Sequence, residues 1–183
     1  EILTKSHALS FDDLKICTAR AGNILGGGDW AKDRIITDIV KSIQNKVDIV
    51  IRSPMAIRPW QHVIDVVNGY LKLAIYNQGK EEVFESFNFG PLEENEITVE
   101  MLTQKFISNW NSCNSKVILD KNENLPESKT LRLDSTKAKK ILNWEPLMDI
   151  DTTIKETALW YEKFYSEKNI YDFTIKQINK YLY

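Results

Sequence analysis

At 183 residues, with 43% hydrophobic and 27% charged residues, the chain has the balance of a folded globular protein with room for one sizeable core. A formal net charge of -2 gives no general attraction for nucleic acid or anionic lipid, so phosphate binding must rest on individually placed cations. No apolar run is long enough to span a bilayer, and two histidines set apart from two cysteines make no metal-ligand spacing.

Taken in order, Glu1–Phe11 has the apolar spacing of a helix tail without a start, and the chain reads as a fragment of a longer protein. Lys15–Leu25 is nearly continuous in apolar residues, the pattern of a strand buried on both faces of a parallel sheet. It runs into RAGNILGGGDW, Arg20–Trp30, where a glycine triplet interrupts the pattern before a helix over 33–46. Strand, glycine-rich turn and helix is the order by which α/β proteins present backbone amides to a phosphate. A short strand follows at Asp48–Arg52, then an extended stretch at Met55–Val63, where Pro59 disfavours helix at Arg58.

Asp65 is expected to cap a helix reaching Asn77, with Val66, Val67, Tyr70, Leu71, Ala74 and Ile75 inward. Val83–Phe89 reads as a strand ended by Gly90-Pro91, and Thr98 as the cap of a helix through Trp110. Glu93-Glu94-x-Glu96 reads as an exposed acidic loop, and Asn122–Lys129 as a polar one. Lys116–Leu119 is a short strand. Asp134-Ser135 caps a helix over Thr136–Leu142, which Asn143 ends in the left-handed position. Thr153-x-x-Glu156 has the form of a capping box for the next helix, and Ile170 to Tyr181 suggests a last amphipathic helix.

Gly26-x-Gly28-x-x-Ala31 satisfies the dinucleotide fingerprint, which would make the chain a free-standing nicotinamide-dependent oxidoreductase. Against it, Asp29 puts a carboxylate where the pyrophosphate belongs, Trp30 is bulky, and the second strand ends in Arg52-Ser53 without the ribose-binding acid. A plain glycine-rich turn is the alternative. Asn23 stands at the end of a strand, where it suits a diphosphate or a sugar hydroxyl, or simply a turn. Arg58, held by Pro59, suits bidentate phosphate binding or stacking on a surface Trp60. Arg34 is a further cation near the same turn. His62 and Asp65 have the makings of a base and its orienter, but no nucleophile has a recognisable context, and a structural role is expected. Cys17 and Cys113 read as free thiols of a reducing compartment, the cytoplasm.

Together, RAGNILGGGDW, IRPWQHV and LRLDSTKAKKILNWEP resemble the C-terminal half of CDP-glucose 4,6-dehydratases, within the extended short-chain dehydrogenase/reductase superfamily. The resemblance covers nearly the whole chain; GGGDW and Ile57–Val63 are its most specific pieces, whereas FNFGP and DSTKAK support the superfamily only. It implies an α/β fold: the last parallel strands of a Rossmann-type domain at 1–52 and, interleaved with it, a mixed α/β nucleotide-sugar domain at 53–183. It further implies substrate contacts at Asn23, Arg34 and Arg58, and passage of Ala21-Gly22 near the nicotinamide of NAD.

EILTKS resembles the segment after the superfamily's Tyr-x-x-x-Lys motif, so the resemblance places the catalytic residues and the cofactor loop upstream and none in this chain. Thr37, Asn143 and Pro126 depart from the usual Pro, Gly and His. The implied reaction of the full-length homo-oligomeric enzyme is NAD-mediated conversion of CDP-glucose to its 4-keto-6-deoxy form, feeding deoxysugar synthesis for surface polysaccharides. A UDP- or dTDP-sugar epimerase or dehydratase, and a non-catalytic nucleotide-sugar module, are the other readings.

Overall fold

The computed structural model describes residues 1–11, 15–78, 83–91, 97–111, 113–120, 129–167 and 169–182. The acidic loop at 93–96, Pro126 and most of the polar loop at 122–129 lie outside the described residues.

Helix α1 (Ile2–Leu9) leads to strand β1 (Ile16–Ala21), and Gly22 separates it from β2 (Asn23–Leu25). Helix α2 (Ile35–Asn45) and β3 (Ile49–Ile51) follow, then β4 (Trp60–His62), which passes directly into α3 (Val63–Gln78). The rest is β5 (Phe84–Phe89), α4 (Val99–Ser108), β6 (Val117–Leu119), α5 (Thr136–Leu142), α6 (Ile150–Ser166) and α7 (Ile170–Leu182). The strands form three parallel pairs, β1 with β5, β2 with β4 and β3 with β6. Parallel partners need long crossovers, and α2, α3 and α4 lie within these. This is the α/β architecture that the sequence suggests.

The first core gathers Phe87 and Phe89 of β5, Leu73 of α3, Ala138 and Leu142 of α5, and Trp144. The second and larger core joins Ile36, Ile39 and Val40 of α2 to Ile49, Ile51 and Trp60, and these to Leu102, Phe106, Ile154, Ala158, Trp160 and Tyr161 of α4 and α6. Asn143 adopts the left-handed conformation (φ 47°) and ends α5 as expected. Ser135 stands at the N-cap of that helix without a side-chain bond of its own, and Asp134 before it supplies one, its Oδ1 accepting from the Thr136 N–H at 2.8 Å.

Four expectations need correction. The run Lys15–Leu25 is two strands in separate pairs, and most of β1 is only half-buried, because among the described residues it has a strand partner on one edge alone. Asp65 is not a cap: α3 begins at Val63, and Asp65 is fully buried in its first turn. The inward row of α3 is Ile64, Asp65, Val66, Gly69 and Leu73, while Val67, Leu71 and Ile75 face outward, Ile75 at 71% exposure. The helix is apolar on nearly every face, and the side without a Cβ at Gly69 is the one that lets Phe89 and Trp144 pack closely. The Thr153/Glu156 box does not form. Asp149 caps α6 by accepting from the Thr152 N–H, and Glu156 points into a buried cluster with α7.

Candidate substrate-binding site

The carboxyl ends of β1 and β5 collect four of the stretches singled out in the sequence. Ala21 lies opposite Phe89 at the end of the β1–β5 register. Beyond it, the Gly22 N–H donates to the Phe89 carbonyl at 3.2 Å and the Asn23 N–H to the Pro59 carbonyl at 2.8 Å. A Cβ at Gly22 would stand 2.2 Å from the Pro59 carbonyl oxygen, so two backbones meet here at a distance only glycine allows. Gln61 Nε2 also donates to the Phe89 carbonyl, at 2.6 Å, binding the β2–β4 pair to β5. On the other side, the Gly90 N–H donates to Ser135 Oγ at 2.7 Å, and Asn88 Nδ2 to the Asp134 carbonyl at 3.1 Å. RAGN, RPWQH, FNFGP and DST therefore converge on the edge where open α/β sheets take ligands.

Asn23 is joined by its backbone to the Arg58-Pro59-Trp60 stretch just past the carboxyl end of β1. Asn23 is exposed and pairs in register with Trp60, two residues beyond Arg58. Arg58 is buried at 6% exposure, with Nη1 donating to the Ile57 carbonyl at 2.9 Å. Ile57 is itself fixed by backbone bonds to Lys129 and Leu131. Trp60 is also buried, at 4%, so the reading of Arg58 stacked on a surface tryptophan does not hold.

The glycine turn is organised by α6. A Cβ at Gly27 would lie 1.8 Å from the Trp160 ring, so glycine is required there by the indole that covers it. That packing, and a helix α2 that begins only at Ile35, leave the turn without the cradle that the dinucleotide fingerprint needs. Trp30 sits against Tyr161, Phe164 and Tyr165, with ring centroids 5.3, 5.0 and 6.1 Å away. The Tyr161 hydroxyl donates to the Asp29 carbonyl at 2.7 Å and accepts from the Asp29 N–H at 3.2 Å. Burial first, with the Asp29 carboxylate adding to it and the Asp29 N–H bond opposing it, pushes the Tyr161 hydroxyl up to about 12, so it stays protonated. Arg34 precedes α2, and its guanidinium lies 3.3 Å from the Asp29 carboxylate. No hydrogen bond or ion pair among the described residues joins Arg34 to Asn23 or Arg58.

His62 and Asp65 do not form a catalytic pair. His62 Nδ1 accepts from the Ile64 N–H at 3.2 Å, and burial lowers the imidazole to about 4, against a smaller opposing effect of Glu156. Asp65 Oδ1 accepts from the Leu147 N–H at 2.6 Å and its carbonyl from Trp144 Nε1 at 3.0 Å, while burial raises its carboxyl to about 6. Both residues fasten α3 to its surroundings. Glu156 is likewise structural: Gln177, Lys180 and Tyr181 of α7 all donate to it. Burial alone would raise its carboxyl, but these hydrogen bonds outweigh that and lower it.

The structure places Ala21, Gly22 and Asn23 in one continuous stretch, with the Pro59 carbonyl beside Arg58 bonded to it, but nothing in the sequence points to what holds Arg34. The partner, Asp29, was visible as an unusual acid beside a glycine triplet; its anchor, Tyr161, lies 132 residues away and left no local signal.

Parallel strand pairs with helical crossovers define a Rossmann-type α/β protein. Residues 10–157 match the family model described as GDP-mannose 4,6 dehydratase, and the chain belongs to that family. It is 35% identical over 169 residues to CDP-glucose 4,6-dehydratase of Salmonella typhimurium, covering 91% of this chain and 46% of that protein. Among solved structures, dTDP-glucose 4,6-dehydratase of Bacillus anthracis in complex with NAD is similar, with TM-score 0.73 and 19% identity, covering 88% of this chain and 49% of that one. UDP-glucose-4-epimerase of Stenotrophomonas maltophila, with bound NAD and formylated UDP-arabinopyranose, gives TM-score 0.77 at 15% identity, covering 90% and 53%. At these identities the two structures speak for the fold alone. The chain spans about half the length of the relatives it matches.

Proposed function

We propose that this chain is the nucleotide-sugar-binding half of an NAD-dependent CDP-glucose 4,6-dehydratase, a lyase of the cytoplasm acting as a homo-oligomer. The observation that carries this reading is that Asn23, just past the carboxyl end of β1, is joined by its backbone to the stretch that holds a buried Arg58. A diphosphate needs a placed cation in a chain of net charge -2, and a guanidinium fixed beside Pro59 offers one with little left to order on binding. Similarity to a named CDP-glucose 4,6-dehydratase supports the choice of sugar nucleotide. Arg34 serves as a second cation at the substrate loop.

In the complete enzyme NAD supplies temporary acceptance of a hydride from the sugar. The residues here fit that cofactor only along the backbone of Ala21-Gly22, where the Gly22 N–H is already committed to Phe89. The glycine turn, covered by Trp160, does not fit a pyrophosphate. This chain therefore binds and orients the sugar nucleotide and, taken alone, neither holds NAD well nor turns substrate over. Calorimetric titration of the purified chain with CDP and with NAD tests the reading. Heat of binding for CDP with none for NAD supports it, whereas NAD binding without CDP binding returns the glycine turn to the role of a dinucleotide site.

A further inference from the structure

We infer that Asp29, locked by Tyr161, is a positioning residue for Arg34, so that helix α6 sets where the cation of the substrate loop stands. This rests on the proposal that Arg34 meets the sugar nucleotide. The Asp29 peptide is held at both of its polar atoms by one hydroxyl, with Tyr161 donating to its carbonyl and accepting from its N–H. Thr37 Oγ1 donates to the same carbonyl at 3.1 Å. With its backbone fixed by α6 and α2, Asp29 uses its two carboxylate oxygens for the loop itself. Oδ1 accepts from the Ala31 N–H at 3.0 Å, and Oδ2 pairs with Arg34 Nη1 at 3.3 Å.

Tyr161 has no exposure, and α6 is fastened in turn to α7 through Trp160 Nε1 to Thr174 Oγ1 at 2.8 Å and through the Glu156 cluster. An exposed arginine without such a partner samples many rotamers, and a ligand that selects one of them must offset the lost freedom. An arginine already tethered by an anchored carboxylate has less to lose, and the tether has no part in the chemistry. The glycines serve the same end. Gly27 admits the Trp160 ring, which presses the turn onto α6.

The test is a double-mutant cycle in the full-length dehydratase carrying this chain, with steady-state kinetics on CDP-glucose and thermal unfolding on each variant. Arg34→Ala is expected to raise KM roughly tenfold or more, as for loss of a phosphate-facing cation. Asp29→Asn keeps an oxygen for the Ala31 N–H but loses the charge facing Arg34. It should raise KM about 3- to 10-fold, more than it changes kcat, and add nothing when combined with Arg34→Ala. Tyr161→Phe should act in the same direction, and Asp29→Glu should recover part of the loss. A normal KM for Asp29→Asn beside a raised KM for Arg34→Ala overturns the positioning role while leaving Arg34 as a ligand. Additive effects in the double variant also overturn it. A normal KM for Arg34→Ala overturns the reading on which the inference rests, and the inference with it.

Discussion

Replacing Arg58 with alanine in the full-length enzyme separates a ligand from a strut, because the two roles predict losses in different measurements. The guanidinium is almost wholly buried and donates to the Ile57 carbonyl, in a stretch held on either side by bonds to Lys129 and Leu131. Truncation leaves that carbonyl without its side-chain donor and opens a void, at a cost of about 1–3 kcal/mol in stability. Removing a desolvated cation that faces a diphosphate costs roughly 2–5 kcal/mol in binding, or about 30-fold to several thousand-fold in Kd. Arg58→Lys keeps the charge but loses the planar fork, so its affinity should fall between the two. Calorimetry with CDP-glucose, alongside urea unfolding of each variant, measures both quantities. An Arg58→Ala variant that unfolds early but binds CDP-glucose within about threefold of the parent would refute the assignment of Arg58 to the diphosphate.

Three further outcomes follow from the packing and the buried charges. Gly27→Ala, which forces a methyl into the Trp160 ring, should lower stability by about 1–3 kcal/mol in urea unfolding; an unchanged midpoint would contradict the packing role of that glycine. His62, lowered from 6.5 to about 4, contributes stability that is present above pH 6.5 and lost as pH falls toward 4. Asp65, raised from 3.8 to about 6, does the reverse, its contribution being present at low pH and lost as pH rises to 6. With shifts of this size, each contribution amounts to about 3 kcal/mol at most, and across pH 4 to 6 they largely cancel. Asp65→Asn, which keeps an acceptor for Leu147, should therefore make stability climb with pH in that window, and His62→Asn should make it fall. Parallel pH profiles for both variants and the parent would contradict the shifts. In the full-length enzyme Asn23→Ala should weaken CDP-glucose binding by less than Arg58→Ala does, since only a neutral hydrogen bond is lost; equilibrium titration of the two variants ranks them.

Local signals were legible wherever one residue type had one physical use. Asn143 ended α5, Thr98 capped α4 by accepting from the Met101 N–H at 3.2 Å, and the apolar face of α2 faced the core. Pro59 kept the chain extended into β4, whose Trp60 pairs in register with Asn23. What failed was the choice among equivalent options. Helix α3 carries apolar side chains all round, and its inward face was decided by the shape of Gly69 against Phe89 and Trp144, which no periodicity records. Glu156 had the spacing of a capping box, but its partners lie 21 to 25 residues further on in α7. The glycine triplet matched a phosphate motif by spacing, while the atoms that fill it belong to Trp160.

Product analysis of the full-length enzyme incubated with NAD and, separately, CDP-, UDP- and dTDP-glucose tests the central claim most directly. The account predicts loss of water and a 4-keto-6-deoxy sugar from CDP-glucose, with the other two nucleotides turned over poorly. Equal or faster dehydration of dTDP-glucose, or epimerisation of UDP-glucose without loss of water, would contradict it.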